Sequence, residues 1–404
     1  MDFGAGNTGF MLVATALVLI MTPGLAFFYG GLVGKKNVVA VMMHSFVSLG
    51  VSSILWYAVG FSLSFSGGEG GVIGNLDAAF LNGVTLSDAW SGAGSIPIGL
   101  FFIYQMMFAV ITPALITGAF TNRIRFGPYL MFLGLWQLLV YYPFAHMIWG
   151  GGLLADWGVL DFAGGIVVHA TAGMAALGAV LYLGSRRAEE RAPHNIPFVA
   201  LGTALLWFGW FGFNAGSELA VDEITILAFI NTHLAASFAA VTWMVIEWRR
   251  DRTPKLVGLL TGAIAGLATI TPAAGFVSPG SAAIMGVAAG AICYGAVLIK
   301  EKRGWDDALD VWAVHGIGGI IGTIMLGMFA SLAVNPAGAD GLFNGGGGFF
   351  GKQVTAVLGA GVYALIITYV MLVVINRIST VKTTQADEEA GVDEALHGEI
   401  AYLD

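Results

Sequence analysis

Charge is scarce in this sequence. Only 10% of its 404 residues are Asp, Glu, Lys or Arg, whereas 57% are hydrophobic and the mean hydropathy is +0.82. A soluble domain carries about a quarter charged residues, so that class is excluded and a polytopic membrane protein is indicated. The net charge of −8 says little about partners and gives no ground for nucleic-acid binding. Cysteine is nearly absent: Cys293 stands alone in an apolar run, which excludes an internal disulfide or a thiolate metal cluster. The opening "MDFGAGNTGF" lacks a basic stretch and a small-residue cleavage site, so the first apolar run is expected to be a retained helix, not a signal peptide.

Long apolar runs are plentiful. Stretches of about 20 residues with at most one charge suffice to cross a roughly 30 Å hydrocarbon core as helices. Eleven are expected, over 9–33, 38–65, 97–119, 125–145, 162–185, 196–215, 224–248, 256–273, 281–299, 309–332 and 352–376. Cations sort between the connecting loops. The loops after the odd-numbered spans hold Lys35, Lys36, Arg123, Arg125, Arg186, Arg187, Arg191, Arg249, Arg250, Arg252, Lys255, Lys300, Lys302, Arg303, Arg377 and Lys382, and only Lys352 falls on the other side. Because cytoplasmic loops collect Lys and Arg, the expected arrangement is a multi-pass protein of the cell (inner) membrane with its N-terminus outside and its C-terminus in the cytoplasm.

Most of the 59 glycines read as packing residues, as at Gly258 and Gly262 or Gly286 and Gly290, whose spacing lets helices approach closely in lipid. The loop 66–96 is polar, acidic and free of Lys and Arg. Residues 379–404 have seven acids and no apolar run, and by composition alone they read as a solvated tail. The expected organisation is a membrane domain over 1–378, with halves at about 9–185 and 196–332 and the eleventh helix at about 352–376, followed by a cytoplasmic tail over 379–404.

A weak internal repeat organises the two halves. In "DFAGGIVVHATAG" Asp161 precedes His169 by eight residues, and in "DALDVWAVHGIGG" Asp307 precedes His315 by the same interval. Eight helical residues rise about 12 Å, which carries each histidine from a membrane surface towards the midplane. The fifth span runs inward and the tenth outward, so the expected architecture is two inverted five-helix repeats plus a final helix, with the working site at their interface. Taken singly, each histidine is as readily a satisfied core residue as a pore residue; the matched pair favours the pore. A metal site is not indicated, since HExxH and an obvious third ligand are both missing.

Asp161 and Asp307 have a strong structural reading as N-caps. Asp310 is as plausibly a packing group, and His44, His146 and His233, which have no matched partner, read as structural. The segment "WFGWFGFNAGS" over 207–217 sets aromatics around a polar break. Trp149, Phe108 and Phe213 could cage a small cation on their ring faces, although most membrane aromatics are core or belt residues.

The segments "DFAGGIVVHATAGMAALGAVLYLGSR", "TPGLAFFYGGLV", "HMIWGGGLL", "WFGWFGFNAGS", "DVWAVHGIGG" and "GVDEALHGEIAY" together resemble the ammonium transporter (Amt/Mep/Rh) family, in family order over essentially the whole chain. The resemblance implies a homotrimer with one pore per subunit, no cofactor, no enzymatic activity, and ammonium or ammonia as substrate with methylammonium as an analogue. It makes Phe108, Trp149 and Ser217 a recruitment site, Phe108 and Phe213 a gate, and His169, His315 and Asp161 pore residues. Tyr104, where many bacterial relatives have Phe, joins Trp210, Asp307 and Asp310 in supporting positions, with Asp310 resembling a carboxylate behind the second histidine. Gly391, Asp393, His397, Gly398, Glu399 and Tyr402 match the family's tail pattern, which implies a segment that packs on the cytoplasmic face and takes part in control by a PII-type signalling protein. Other readings are an ammonium sensor, an intramembrane metalloenzyme and a gas channel.

Selectivity has a physical route. Ammonium and potassium are similar in size, so a carbonyl cage separates them poorly. An apolar pore that strips a proton and passes ammonia rejects potassium, which has no proton to give.

Overall fold

The computed structural model describes residues 3–90, 92–187 and 193–403; Arg191 lies outside them. The apolar runs become helices α1 (Ala5–Leu32), α2 (Val38–Phe65), α3 (Ile98–Phe120), α4 (126–149), α5 (Gly165–Leu183), α6 (Ile196–Glu218), α7 (Glu223–Asp251), α8 (Leu256–Ile270), α9 (Pro279–Arg303), α10 (Trp312–Phe329) and α11 (Gly347–Ile378). Among the described residues, ten are long and apolar enough to cross a membrane. The expected eighth span is shorter than its hydrophobic run. Helix α8 has 15 residues, about 22 Å of rise, and the chain goes on through buried turns over 271–277. Those turns are used elsewhere: the Pro272 carbonyl accepts the Phe162 N–H at 3.1 Å, and the Pro272 ring packs against Gly165 at the head of α5.

Contacts repeat between the halves. Helix α1 meets α3 as α6 meets α8, and α3 meets α5 as α8 meets α10. At the centre α5 and α10 cross with their backbones nearly touching. A Cβ at Gly173 would lie 1.9 Å from the Gly316 nitrogen, and one at Gly319 would lie 2.6 Å from the Ala170 nitrogen. Each glycine stands four residues after its own histidine and packs on the residue after the other histidine. That reciprocity is what inverted repeats produce, and only glycine permits it because any side chain would separate the backbones.

At the cation-rich face Arg123 is 2% exposed and donates to the carbonyls of Ala119, Gly184 and Asp306, tying together the ends of α3 and α5 and the approach to α10. Asp306 also pairs with Arg186 at 2.8 Å. Burial alone would push the Asp306 carboxyl up, but Arg123 and Arg186 more than offset it and hold the group below its ordinary value of 3.8.

The tail is docked, contrary to its composition. Lys382 bridges Ile124, and the Thr383 hydroxyl donates to the Asn122 carbonyl at 2.8 Å. A short helix, α12 (Gln385–Ala390), leads to Gly391, whose φ of 103° and close approach to Lys36 leave no room for a side chain. Asp393 is 2% exposed and accepts the Val39 and Ala40 N–H groups at 3.0 and 2.8 Å, capping α2 from more than 350 residues away in sequence. His397 sits edge-on to Phe126 at 5.4 Å, Tyr402 meets His194 at 2.9 Å, and Gly398 takes a left-handed φ of 66°. Acidic residues are spent on backbone donors here, which net charge cannot register.

Candidate functional site

On the far face, opposite the cations, a cavity of about 330 Å³ opens between the ends of α3, α4 and α6. Part of its rim is a hairpin in the loop 66–96, β1 (Ala89–Trp90) paired antiparallel with β2 (Ala93–Pro97). Trp90 stacks on Phe101 with centroids 4.6 Å apart, which anchors this polar loop to α3. Phe108, Trp149, Asp161 and Ser217 all line the cavity, so residues far apart in sequence do converge.

Phe108 forms the floor. Its ring lies 4.3 Å from that of Phe213, tilted by 33°, and 6.0 Å edge-on from Trp149. Trp149 is oriented by its Nε1–H, which donates to the Asp161 carbonyl at 2.9 Å. Tyr104 is fully buried and stands behind the wall: its hydroxyl lies 2.9 Å from the Gly212 carbonyl, 3.1 Å from that of Phe213 and 3.3 Å from the Ser217 hydroxyl. It holds the end of α6 in place.

Below the rings the chemistry changes. A void of about 10 Å³, of the order of one water, is lined by aliphatic and aromatic side chains of α1, α3, α6 and α8 with His169 and His315 as its polar members. The two imidazoles face each other, Nδ1 to Nδ1, at 3.3 Å, with planes 23° apart. Since each Nδ1 is a donor or an acceptor according to tautomer, one proton fits between them. His169 Nε2 is buried without a partner. Trp210 stacks on His169 at 5.4 Å and is fixed by its own Nε1–H to the Thr271 hydroxyl at 2.9 Å, a contact the sequence did not suggest. Phe213 also stacks on His169, at 6.0 Å, so the floor of the cavity is continuous with the histidine pair.

Both histidines ride on π-helical turns, Gly165–Ala170 and Trp312–Ile317, each at the start of its span. Such turns widen the backbone and recur at functional sites. The preceding carboxylates act as caps. Asp161 accepts four N–H groups, from Gly164, Gly165, Ile166 and Val167, at 2.6 to 3.1 Å. Asp307 accepts the Trp312 N–H at 2.7 Å with Oδ2, but its Oδ1 is buried without a partner. Asp310 turns to the cation-rich face and pairs with Lys300, while its backbone carbonyl accepts the Val314 N–H at 2.9 Å directly before His315.

A helical membrane bundle of two repeated halves with a narrow, mainly apolar void at their crossing has the architecture of a transporter or channel. The sequence matches the Ammonium Transporter Family over residues 9–402, and the chain belongs to that family. It is similar to an ammonium transporter of Bacillus subtilis, at 46% identity over 99% of both chains, and to ammonium transporter Amt1 of Archaeoglobus fulgidus, at 42% identity over 98% of this chain and 99% of the other. Among solved structures it resembles Mep2 of Saccharomyces cerevisiae, with a TM-score of 0.91 and 37% identity over 100% of this chain and 93% of the other. It also resembles a protein described as a sensor Amt protein, with a TM-score of 0.88 and 28% identity over 97% and 98%.

Proposed function

We propose that the chain carries ammonium across the cell membrane, recruiting it at Phe108, Trp149 and Ser217, passing it the Phe108–Phe213 gate, and conducting ammonia along His169 and His315. The observation that carries this reading is the abrupt change from a polar-rimmed cavity to a void with two imidazoles and no fixed charge. Ring faces attract a cation, while an apolar path of single-water width opposes its entry with its charge intact. Ammonium resolves the conflict by giving its proton to the unpartnered Nε2 of His169, which hands its Nδ1 proton across the 3.3 Å contact to His315. The proton travels along the imidazoles while neutral ammonia crosses the apolar void, and the pair together carries one charge. On this reading the cation-rich face is cytoplasmic, the assembly is a homotrimer, and the docked tail meets a PII-type protein, as the family resemblance implies. Sensing is a second reading, prompted by the likeness to the sensor Amt protein; a protein that binds ammonium without net flux would support it.

Currents in reconstituted membranes test the mechanism. His169→Leu or His315→Leu removes one polar half of the relay and should reduce ammonium current by about tenfold or more, the effect of losing roughly 1.4 kcal/mol or more of barrier lowering. His169→Glu or His315→Glu adds an acid that can hold a bare cation at mid-membrane, so potassium should leak. Normal ammonium current with potassium excluded in the double Leu variant would leave the pair a packing feature only.

A further inference from the structure

The far-face cavity contains two acceptors outside the recruitment set. Gln105 lines it from α3, is 8% exposed, and has an Oε1 with no hydrogen-bond partner. Glu218 lines it from the turn that ends α6, directly after Ser217, and is half-buried. The turn is fixed from both sides. Leu219 takes a left-handed φ of 61°, its N–H donates to the Gly216 carbonyl at 2.9 Å, and its carbonyl accepts the Ser95 hydroxyl of β2 at 2.7 Å.

Charge in the cavity is one-sided. Among the described residues its lining has two ionisable side chains, Asp161 and Glu218, and neither Lys nor Arg. Asp161 is already committed, since both its oxygens accept backbone N–H groups. Glu218 is not capped in this way; its carboxyl group meets that of Asp222, whose Oδ1 accepts the Ile224 and Thr225 N–H groups at the start of α7. Two carboxyl groups in contact need a proton or a cation between them.

We propose that Glu218, assisted by Gln105 Oε1, is a specificity-determining acceptor that concentrates ammonium in the far-face cavity before it reaches the Phe108–Phe213 rings. The proposal rests on the transport reading above and adds a station to it. Ammonium carries four N–H donors, and a cage of ring faces with one hydroxyl leaves some of them without a good acceptor. The Gln105 oxygen and the Glu218 carboxylate supply what is missing. Glu218 attracts any small cation by charge, whereas Gln105 favours one that donates hydrogen bonds.

The test is the half-saturation concentration of ammonium current in proteoliposomes at low and high ionic strength, with Trp149→Leu measured alongside. Measured at about pH 8, where the Glu218–Asp222 pair has given up its shared proton, Glu218→Gln removes one unit charge from a partly screened site and should raise half-saturation about fivefold at low salt. The gap should narrow as salt rises, because screening weakens a charge and not a shape. Glu218→Asp keeps the charge and should stay within about twofold of the parent protein. A fivefold rise in Glu218→Asp, or a Glu218→Gln effect indifferent to salt, would make the residue structural and overturn the proposal. An unchanged value in Glu218→Gln with a raised value in Trp149→Leu would overturn it while the aromatic cage stands. Unchanged values in both variants would remove the recruitment reading itself.

Discussion

The segments around His169 and His315 share a carboxylate eight residues upstream, a π turn and a glycine four residues downstream, yet they are finished differently. Asp161 is a closed cap with four backbone donors on its two oxygens. Asp307 uses Oδ2 and leaves Oδ1 unpartnered, while its backbone carbonyl accepts from Lys300 Nζ at 3.0 Å. A repeated motif therefore supplies repeated backbone geometry without repeated electrostatics. The segment beside the aromatic cavity is rigidly satisfied, whereas its counterpart ends among the charges of the cation-rich face.

The largest expected effect sharpens that contrast. Asp161→Ala strands four buried N–H groups, and with each unsatisfied donor costing about 1 to 3 kcal/mol the loss should exceed about 4 kcal/mol. Asp307→Ala removes fewer bonds and relieves one orphan oxygen, so its cost should be smaller, about 1 to 3 kcal/mol. Thermal midpoints in detergent compare them, and equal losses would break the distinction. Next in size is the crossing itself. Gly173→Ala and Gly319→Ala each drive a methyl into the backbone of the opposite segment, at about 1 to 3 kcal/mol for overpacking. Gly173→Ala should be worse, because its Cβ would meet Gly316 at the shorter distance. The same midpoints read the order, and its reversal would mean that the two crossings relax unequally.

The smallest effect is on pH dependence, where two sequence neighbours have opposite signs. Burial raises the Asp307 carboxyl from 3.8 to about 6, so the folded state holds that proton more tightly than the unfolded chain. Its contribution to stability should be fully present at acid pH and fall as pH rises from about 4 to about 6. Asp306 is held below 3.8, so its contribution should be present above the unfolded value and disappear as pH falls through the folded one. Asp307→Asn should flatten the decline between about pH 4 and pH 6 and leave the acid limb. A stability profile unchanged by that substitution would show that Asp307 does not set this slope.

Membrane class, span positions, the sorting of cations and the inverted echo of Asp161–His169 in Asp307–His315 were legible because each depends on spacing along one chain. Lipid makes those local patterns nearly obligatory: a backbone in hydrocarbon must satisfy itself, so a long enough apolar run becomes a helix. The family motifs also marked the residues around the far-face cavity, but not all of its lining. Gln105 and Glu218 were passed over, although Glu218 directly follows Ser217, because a single polar residue carries no sign of what surrounds it. Likewise, composition made the tail look solvated, since it counts the Asp393 carboxylate but not the N–H groups of Val39 and Ala40 that receive it. The 3.3 Å approach of the imidazoles, the early end of α8, and the unequal capping of the two aspartates were decided by tertiary structure alone. All of them join atoms from separate helices, and a hydrogen bond that is gained or lost on the scale of an ångström depends on where those helices cross, which one-dimensional periodicity does not encode.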